Sequence, residues 1–407
     1  MGVTFRQATL DNGLQLIAEI DPQAHSAACG FFVRTGARDE APDVMGVSHF
    51  LEHMMFKGTA DLSTDDLNRA FDAMGARNNA YTSGEMTCFY AQVIPEFADR
   101  ALVLVARMMR PALRQVDFDT EKGVILEEIA MYKDSPFWVL YEACVERHYT
   151  PHPLAHRVLG TSETIRALTR DQMQAYFDHR YSPDNTCVAL AGRVDFDHAA
   201  ALVAEHCAKW TCTGASRSPA PQRVGGGFVR LRDDKAARGY AMGLAPAPSV
   251  ADDRRYAALL LAQILGAADN SRLHWALIEP GLADEAQASY DPHEDLGEFA
   301  VFITADPARL DEAWAAAMRE VDRLAASVTP GDLARLRGKL ATAVTLGGER
   351  PGDRMQRLGR MWTLQRTYTT LEEELDRIER VTVDQVRQVA ADFPFRPVTM
   401  ATLSPPA

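Results

Sequence analysis

The stretch Val47-Ser-His-Phe-Leu-Glu-His-Met-Met-Phe-Lys-Gly-Thr59 decides how the rest of the chain is interpreted. It contains no proline, is rich in Phe, Leu and Met, and ends near Gly58, a residue type that commonly follows helices. We therefore predict a helix here. Because residues four apart share a helix face, His49 and His53 direct two imidazoles to the same side, and Glu52 borders that face.

The order His-x-x-Glu-His is that of a zinc peptidase motif read backwards. Neutral imidazoles are good zinc ligands, and a catalytic zinc site needs a third protein ligand and an open position for water. A carboxylate beside the metal accepts the proton of that water, which makes Glu52 the candidate general base. The alternative is a surface helix whose two histidines and glutamate have no chemical role.

A second predicted helix, over residues 119–133, supplies a candidate third ligand. Two glutamates and two apolar residues fall at helical spacing on one stripe: Glu121, Val124, Ile125 and Glu128. Glu128 is the candidate ligand, and Glu121, two turns earlier, is a candidate partner for one of the ligands. Glu127 is the rival for the third position but lies off the stripe. The alternative for the whole stripe is a solvated acidic helix edge.

Length and composition restrict the class of protein. A chain of 407 residues suits two or three domains, and 47% hydrophobic with 24% charged residues is typical of a soluble globular protein. The formal net charge of -13 argues against nucleic acid and anionic membranes as partners. The longest apolar run, near residues 257–265, is far too short to span a bilayer, so we predict no membrane association.

The cysteines predict a reducing compartment. They form no C-x-x-C pair and no recognisable disulfide framework: Cys29, Cys88, Cys144, Cys187, Cys207 and Cys212. The first residues, Met1-Gly-Val-Thr-Phe-Arg6, show no charged start followed by an apolar segment, so no signal peptide is predicted. We expect reduced thiols in a cytoplasmic protein, with a periplasmic location still open if a signal peptide has been removed.

An internal repeat divides the chain into two similar halves. The segment Ile165–Met173 recurs as Ile378–Val386, and each copy is predicted to open a helix that a closing strand follows. Residues 213–227 are rich in Gly, Pro and Ser and read as a linker. We predict an N-terminal half over residues 1–212 with the metal motif and a C-terminal half over 228–407 without it.

Three other histidines have the spacing of a ligand stripe. His148, His152 and His156 lie four residues apart, but Pro151 and Pro153 interrupt any continuous helix between them. A loop is therefore predicted in place of a second metal stripe.

Three segments resemble the pitrilysin/insulinase/mitochondrial processing peptidase family of inverzincin zinc peptidases. They are His49–Thr59, Gly75–Ser83 and Glu121–Glu128, and the resemblance extends over nearly the whole chain. In size the chain is similar to the short bacterial members. The resemblance implies an α+β fold of two similar halves, each a mostly antiparallel sheet flanked by helices. It also implies a zinc metalloendopeptidase that hydrolyses peptide bonds.

The resemblance also implies roles at the site. By the family's pattern, His49, His53 and Glu128 are ligands of one Zn2+ per chain. Glu52 matches the catalytic base that activates a zinc-bound water, and Glu121 matches the acid that supports catalysis.

Substrate binding is implied at a neighbouring segment. Asn79, Ala80 and Tyr81 match the edge strand to which family members add a substrate peptide as a further strand. Short members pair two chains around a closed chamber, which implies small unfolded peptides as substrates.

One segment departs from the family. Active members carry an Arg and a Tyr, seven apart, beside Ser-Arg-Leu and Gly-Leu-Ala segments, and the pair is thought to polarise the substrate carbonyl. Here Ser271–Leu273 and Gly281–Ala283 are recognisable. However, Ile278 stands near the Arg position and Asp284 at the Tyr position, and the segment is one residue short.

The absence of this Arg and Tyr predicts a partner subunit. Arg272 and Tyr290 are close in sequence, but neither has the family's spacing. Our hypothesis is a heterodimer in which a paralogous subunit supplies the Arg and Tyr. The alternative is a homodimer that works without the pair. A different class of alternative is a non-catalytic peptide-binding or assembly subunit of the same fold.

Overall fold

The structure, a computed structural model, describes residues 2–217 and 224–406. The strands are β1 (Thr4–Thr9), β2 (Gln15–Ile20), β3 (Ala27–Val33), β4 (Arg77–Thr82), β5 (Thr87–Val93), β6 (Thr186–Gly192), β7 (Gly227–Arg232), β8 (Gly239–Ala247), β9 (Glu285–Pro292), β10 (Gly297–Ala305) and β11 (Thr399–Ser404). The helices are α1 (Val47–Met55), α2 (Thr64–Asp72), α3 (Ala98–Met108), α4 (Gln115–Lys133), α5 (Pro136–Tyr149), α6 (Ser162–Ala167), α7 (Arg170–Arg180), α8 (Phe196–Cys207), α9 (Arg255–Gly266), α10 (Leu310–Ser327), α11 (Pro330–Gly348), α12 (Pro351–Gln365), α13 (Leu371–Arg380) and α14 (Val383–Asp392).

The chain forms two compact units that interleave along the sequence. The first consists of Met1–Ile129, His156–Pro219 and Thr345–Tyr368, and the second of Ala130–Ala155, Ala220–Val344 and Thr369–Ala407, as far as the structure describes them. The boundaries predicted from sequence, at residues 1–212, 213–227 and 228–407, stay a prediction. Part of the predicted linker lies outside the described residues.

The first unit is built on a six-stranded sheet in the order β1-β2-β6-β3-β5-β4. In the part of the chain that the structure describes, β2 and β6 are the one parallel pair of this sheet, so the sheet is mostly antiparallel. All residues of β3 and β6 are buried, which explains their continuous small and apolar sequences. At one edge lies β4, which pairs with β5 and, among the described residues, with no other strand.

The second unit is built on a five-stranded sheet in the order β7-β11-β8-β10-β9. Among the described strands of this sheet, β7 and β11 run parallel and the other pairs are antiparallel. On one face of this sheet packs α9, which is almost entirely buried and carries Ala, Leu and Ile where α1 carries its histidines. On the other face packs α5.

The internal repeat is visible in both units. Thr169 opens α7 and Thr382 opens α14, each by a capping box with a glutamine three residues later. The strand that follows is β6 in the first case and β11 in the second, and each has a neighbouring strand on both sides. The predicted fold class, α+β with two similar halves of mostly antiparallel sheet and helices, is therefore confirmed. None of the described helices is both long and apolar enough to cross a membrane.

Candidate active site

The start of α1 is fixed by a buried carboxylate. Glu40 is 5% exposed, and its two oxygens accept hydrogen bonds from the backbone N–H groups of Gly46 and Ser48, each at 2.7 Å. These amides would otherwise be unsatisfied at a helix N-terminus. Burial raises the pKa of Glu40 to about 8, although the two backbone hydrogen bonds lower it. Gly46 has φ +94, and a Cβ there would lie 2.6 Å from the carbonyl oxygen of Leu159, so only glycine fits.

Aromatic packing joins α1 to α4. Phe50 of α1 and Phe118 of α4 are both buried and stack with ring centroids 4.7 Å apart and an interplanar angle of 16°. Leu51 and Met54 complete the buried side of α1. This packing holds α1 against α4, so that the neighbouring side of α1, which carries the two histidines, faces Glu121 and Glu128.

Three ligand atoms meet between these helices. The Nε2 atoms of His49 and His53 lie 3.8 and 3.6 Å from Oε2 of Glu128. The ligand atoms of all three residues lie within 4.8 Å of one another. A tetrahedral zinc ion with bonds near 2.1 Å separates its ligands by about 3.4 Å, so a small closure of this arrangement accommodates the metal. Glu127, the rival ligand, is exposed.

Glu121 orients one of the histidines. It is 5% exposed, and its carboxylate lies 2.9 Å from Nδ1 of His53 and 2.5 Å from Nζ of Lys57. Burial opposes ionisation, but the hydrogen bonds from Lys57 and His53 outweigh it and lower the pKa of Glu121. Because an ionised carboxylate only accepts, Nδ1 of His53 carries the proton and Nε2 keeps its lone pair for a metal.

His49 is held in the neutral form that binds metals. Burial, together with the proximity of His53, a second group that can take up a proton, lowers the pKa of His49 to about 3. Among the described residues its Nδ1 has no hydrogen-bond partner. The donor set is therefore two neutral imidazoles and one carboxylate, which suits Zn2+.

Glu52 lies beside the ligands but is held by a different element. Thr82, the last residue of β4, donates a hydrogen bond of 2.6 Å from its hydroxyl to Oε2 of Glu52. Burial raises the pKa of Glu52, and the neighbouring charge of Glu128 raises it further. A carboxylate whose proton affinity is raised in this way is suited to accept a proton in a reaction.

The predicted substrate-binding residues lie on the edge strand β4. Asn79, Ala80 and Tyr81 pair with β5, and the side of β4 away from β5 carries no partner strand among the described residues. The Tyr81 hydroxyl donates a hydrogen bond of 2.9 Å to Gln356 of α12. The structure thus brings this edge next to Glu52, because Thr82 ends the same strand.

In the second unit, the positions of the missing Arg and Tyr have other environments. Ile278 packs against the apolar core of that unit, at the end of a short π-helical turn. Asp284 forms an ion pair with Arg238, and its backbone N–H donates to Thr304 at 2.8 Å.

Arg272 and Tyr290, which are close in sequence to these positions, also have partners. Arg272 forms a bidentate ion pair with Asp332, at 3.0 and 2.7 Å. The Tyr290 hydroxyl donates to the carbonyl oxygen of Pro248 at 2.8 Å. Neither side chain is available as placed to contact a substrate.

Sequence reasoning missed three supporting residues of the site. Lys57 could have been identified from the sequence, because it follows His53 by four residues and therefore shares its face of the predicted helix. Glu40 and Thr82 could not have been identified in this way, because the residues that they bind lie on separate elements. The loop predicted between His148 and His156 is confirmed, since α5 ends at Tyr149.

Two family models match adjoining parts of the chain. Residues 15–162 match the model described as Insulinase (Peptidase family M16). Residues 167–340 match the model described as Peptidase M16 inactive domain. The first match contains every candidate ligand and the candidate base, and the second contains the segment around Ile278.

Curated relatives and a solved structure agree with these matches. The chain is 32% identical to an uncharacterized zinc protease of Streptomyces coelicolor, over 99% of this chain and 90% of the relative. It is 28% identical to the uncharacterized zinc protease YmxG of Bacillus subtilis, over 98% of each. The structure of a protease from Helicobacter pylori superposes with a TM-score of 0.92 at 20% identity, covering 99% of both chains, which shows a common fold. The resemblance seen in the motifs is therefore confirmed, and the chain belongs to the insulinase family of peptidases, family M16.

Proposed function

We propose that this chain is the catalytic subunit of a zinc metalloendopeptidase that cleaves small unfolded peptides. The observation that carries the proposal is the meeting of His49 Nε2, His53 Nε2 and Glu128 Oε2 beside the carboxylate of Glu52. Names of relatives as zinc proteases support it. We assign one Zn2+ per chain to these three ligands.

Each residue of the proposed site has its own role in the reaction. Zinc bound at this site would supply a Lewis acid for the scissile carbonyl and lower the pKa of a water molecule. Glu52 would accept the proton of that water and pass it to the leaving amine. Thr82 holds the carboxylate in place, and Glu121 holds the ring of His53, so that both groups are oriented before substrate arrives.

The edge strand β4 provides a way to bind peptides of many sequences. A substrate added beside Asn79, Ala80 and Tyr81 would form main-chain hydrogen bonds, which do not depend on side-chain identity. Since Thr82 is both the end of this strand and the partner of Glu52, such a peptide would pass close to the base. Selection would then depend on extended conformation and on the size of a chamber formed by two chains.

A second subunit is part of the proposal. With Ile278 packed against the core and Asp284 paired with Arg238, this chain has no Arg and Tyr at the family's positions. We infer that a paralogous chain supplies them in a heterodimer. A homodimer of reduced activity is the alternative.

The test is hydrolysis of a quenched fluorescent peptide by the zinc-loaded chain, alone and mixed with candidate paralogues. Glu52→Gln is the inactive control and Glu127→Gln, an exposed glutamate of the same region, is the matched neutral control. We expect negligible turnover alone and restored turnover with the partner, abolished in both cases by Glu52→Gln. Full activity of the lone chain would refute the heterodimer, and zinc content equal in wild type and His49→Ala would refute the metal assignment.

A non-catalytic subunit is the second candidate, because residues 167–340 match a model described as an inactive domain and lack the Arg–Tyr pair. Such a subunit would bind peptides along β4 without needing Glu52. Peptide affinity in Glu52→Gln equal to wild type, with no hydrolysis in any combination of subunits, would favour this function.

A further inference from the structure

A second group of metal-binding side chains lies in the second unit, where β9 turns into β10. Asp291 on β9 and Glu298 on β10 are direct partners in the antiparallel register, so their side chains lie on the same face of the sheet. His293 follows Asp291 by two residues. One ligand atom from each of these three residues lies within 4.8 Å of the others.

Glu298 is the buried member of the group. It is 4% exposed, and its Oε2 atom has no hydrogen-bond partner among the described residues. Burial raises the pKa of Glu298 and Asp291 adds to that rise, whereas His293 and the hydroxyl of Tyr149 partly offset it. Two carboxylates directly opposite each other repel, and a buried carboxylate oxygen without a partner costs free energy. A positive group that binds both carboxylates would remove both costs.

Tyr149, the last residue of α5, covers the group. It is 1% exposed, its ring stands edge-on to that of His293 at 5.8 Å, and its hydroxyl also has no hydrogen-bond partner among the described residues. Burial and the charges of Glu298 and Asp291 raise its pKa. Tyr149 and Glu298 are close enough to shift each other's pKa, but neither the hydroxyl nor Oε2 completes a well-aligned hydrogen bond among the described residues, and both lie beside a histidine and a second carboxylate. Such atoms are common where an ion or an ordered water binds.

The turn itself is held in one conformation. The backbone N–H of His293 donates to Leu296, and the backbone N–H of Val250 donates to His293, both at 2.8 Å. A fixed backbone presents its ligands with little loss of conformational entropy on binding.

We propose that Asp291, His293 and Glu298 hold a divalent metal ion, separate from the proposed catalytic zinc. One imidazole with two carboxylates is a donor set for Zn2+ and similar transition ions. The end of α5 adds a favourable field, because the C-terminus of a helix attracts cations. The ion would join β9, an edge strand of its sheet, to the neighbouring strand β10 and so stabilise the second unit.

The test uses Zn2+ alone and measures bound metal per chain after dialysis, so that it does not depend on peptidase activity. In the double variant His49→Ala/His53→Ala, which removes the proposed catalytic ligands, we expect one zinc ion to remain. Adding Glu298→Gln and His293→Ala should reduce it below about 0.1 per chain. Adding Glu285→Gln, a carboxyl on the same face of β9, should leave it unchanged.

The outcomes separate this site from the proposed active site. A double variant that binds no zinc would overturn the inference, and this result needs no change to the second unit, so misfolding there cannot produce it. Zinc retained after Glu298→Gln and His293→Ala would overturn it as well. Wild type binding a single zinc that survives His49→Ala/His53→Ala would uphold this site and refute the catalytic one.

Discussion

Removing the negative charge of Glu121 is expected to weaken zinc binding without disturbing the fold. The carboxylate lies between His53 Nδ1, at 2.9 Å, and Lys57 Nζ, at 2.5 Å. In Glu121→Gln one amide oxygen can still accept from His53, but the amide NH2 then faces the Lys57 ammonium, and two donors repel. The hydrogen bond that fixes His53 loses its charge assistance.

The magnitude follows from those contacts. A hydrogen bond to a charged group contributes about 1.5–3 kcal/mol and a neutral one about 0.5–1.5 kcal/mol, so the loss is of the order of 1–2 kcal/mol. Removing outer partners of metal-bound histidines typically costs about 10–100-fold in metal affinity. We therefore expect zinc affinity to fall by about 10-fold or more.

The assay is competition for zinc against a chelator of known affinity, with urea unfolding of the zinc-free protein as the check on stability. Glu127→Gln, on the exposed side of α4, removes the same charge without contact to His53 and should bind zinc as wild type does. Lys57→Met keeps the carboxylate and should weaken zinc binding less than Glu121→Gln. Equal affinity of wild type and Glu121→Gln would refute the reasoning that the carboxylate orients His53.

Three further changes test the supports of the site. Glu40→Gln replaces one accepting oxygen with an NH2 group that faces a backbone N–H at the start of α1 and should lower the free energy of unfolding in urea by about 1–3 kcal/mol, whereas the exposed Asp43→Asn should not. Phe50→Ala leaves a cavity against α4 and should cost about 3–5 kcal/mol in the same assay and lower zinc affinity; unchanged affinity would mean that the packing does not position the ligands. Thr82→Val frees the carboxylate of Glu52 and should slow hydrolysis about 10-fold at full zinc content, while an unchanged rate would show that Glu52 needs no such support.

The long helix α4 shows how far periodicity carries a prediction. The helix was expected over residues 119–133 and begins earlier, at Gln115. Its buried side chains are Phe118, Glu121, Ile125 and Ile129, whereas Val124, assigned to the same stripe, is 44% exposed. The spacing placed Glu121 and Glu128 near one face but could not tell which apolar residues accompany them, because that depends on how the helix is rotated against α1.

Contacts between segments that are far apart in the chain could not be predicted from the sequence. The strand β1 was not predicted, because its mostly exposed residues show no apolar alternation. The bonds of Glu40 to the start of α1 and of Thr82 to Glu52 join elements whose approach only the folded sheet defines. In contrast, the repeat that predicted two halves could be found from the sequence, because a capping box and the strand that follows it are formed by residues close together in the chain. The roles assigned to the site residues stay predictions.

The second unit bears on whether one chain suffices for catalysis. Using Arg272 on a substrate would break its bidentate pair with Asp332, and using Tyr290 would break its bond to Pro248. Breaking the charge-assisted pair of Arg272 and Asp332 alone costs about 1.5–3 kcal/mol, and a weakly bound peptide does not supply that much free energy. Groups that stabilise the charge developing on a carbonyl oxygen contribute about 100–1000-fold to turnover. A chain without them is therefore expected to bind zinc fully and still hydrolyse peptides by about that factor more slowly than a pair that contains them. Activity and zinc content measured on the same sample can thus separate a missing partner from a missing metal.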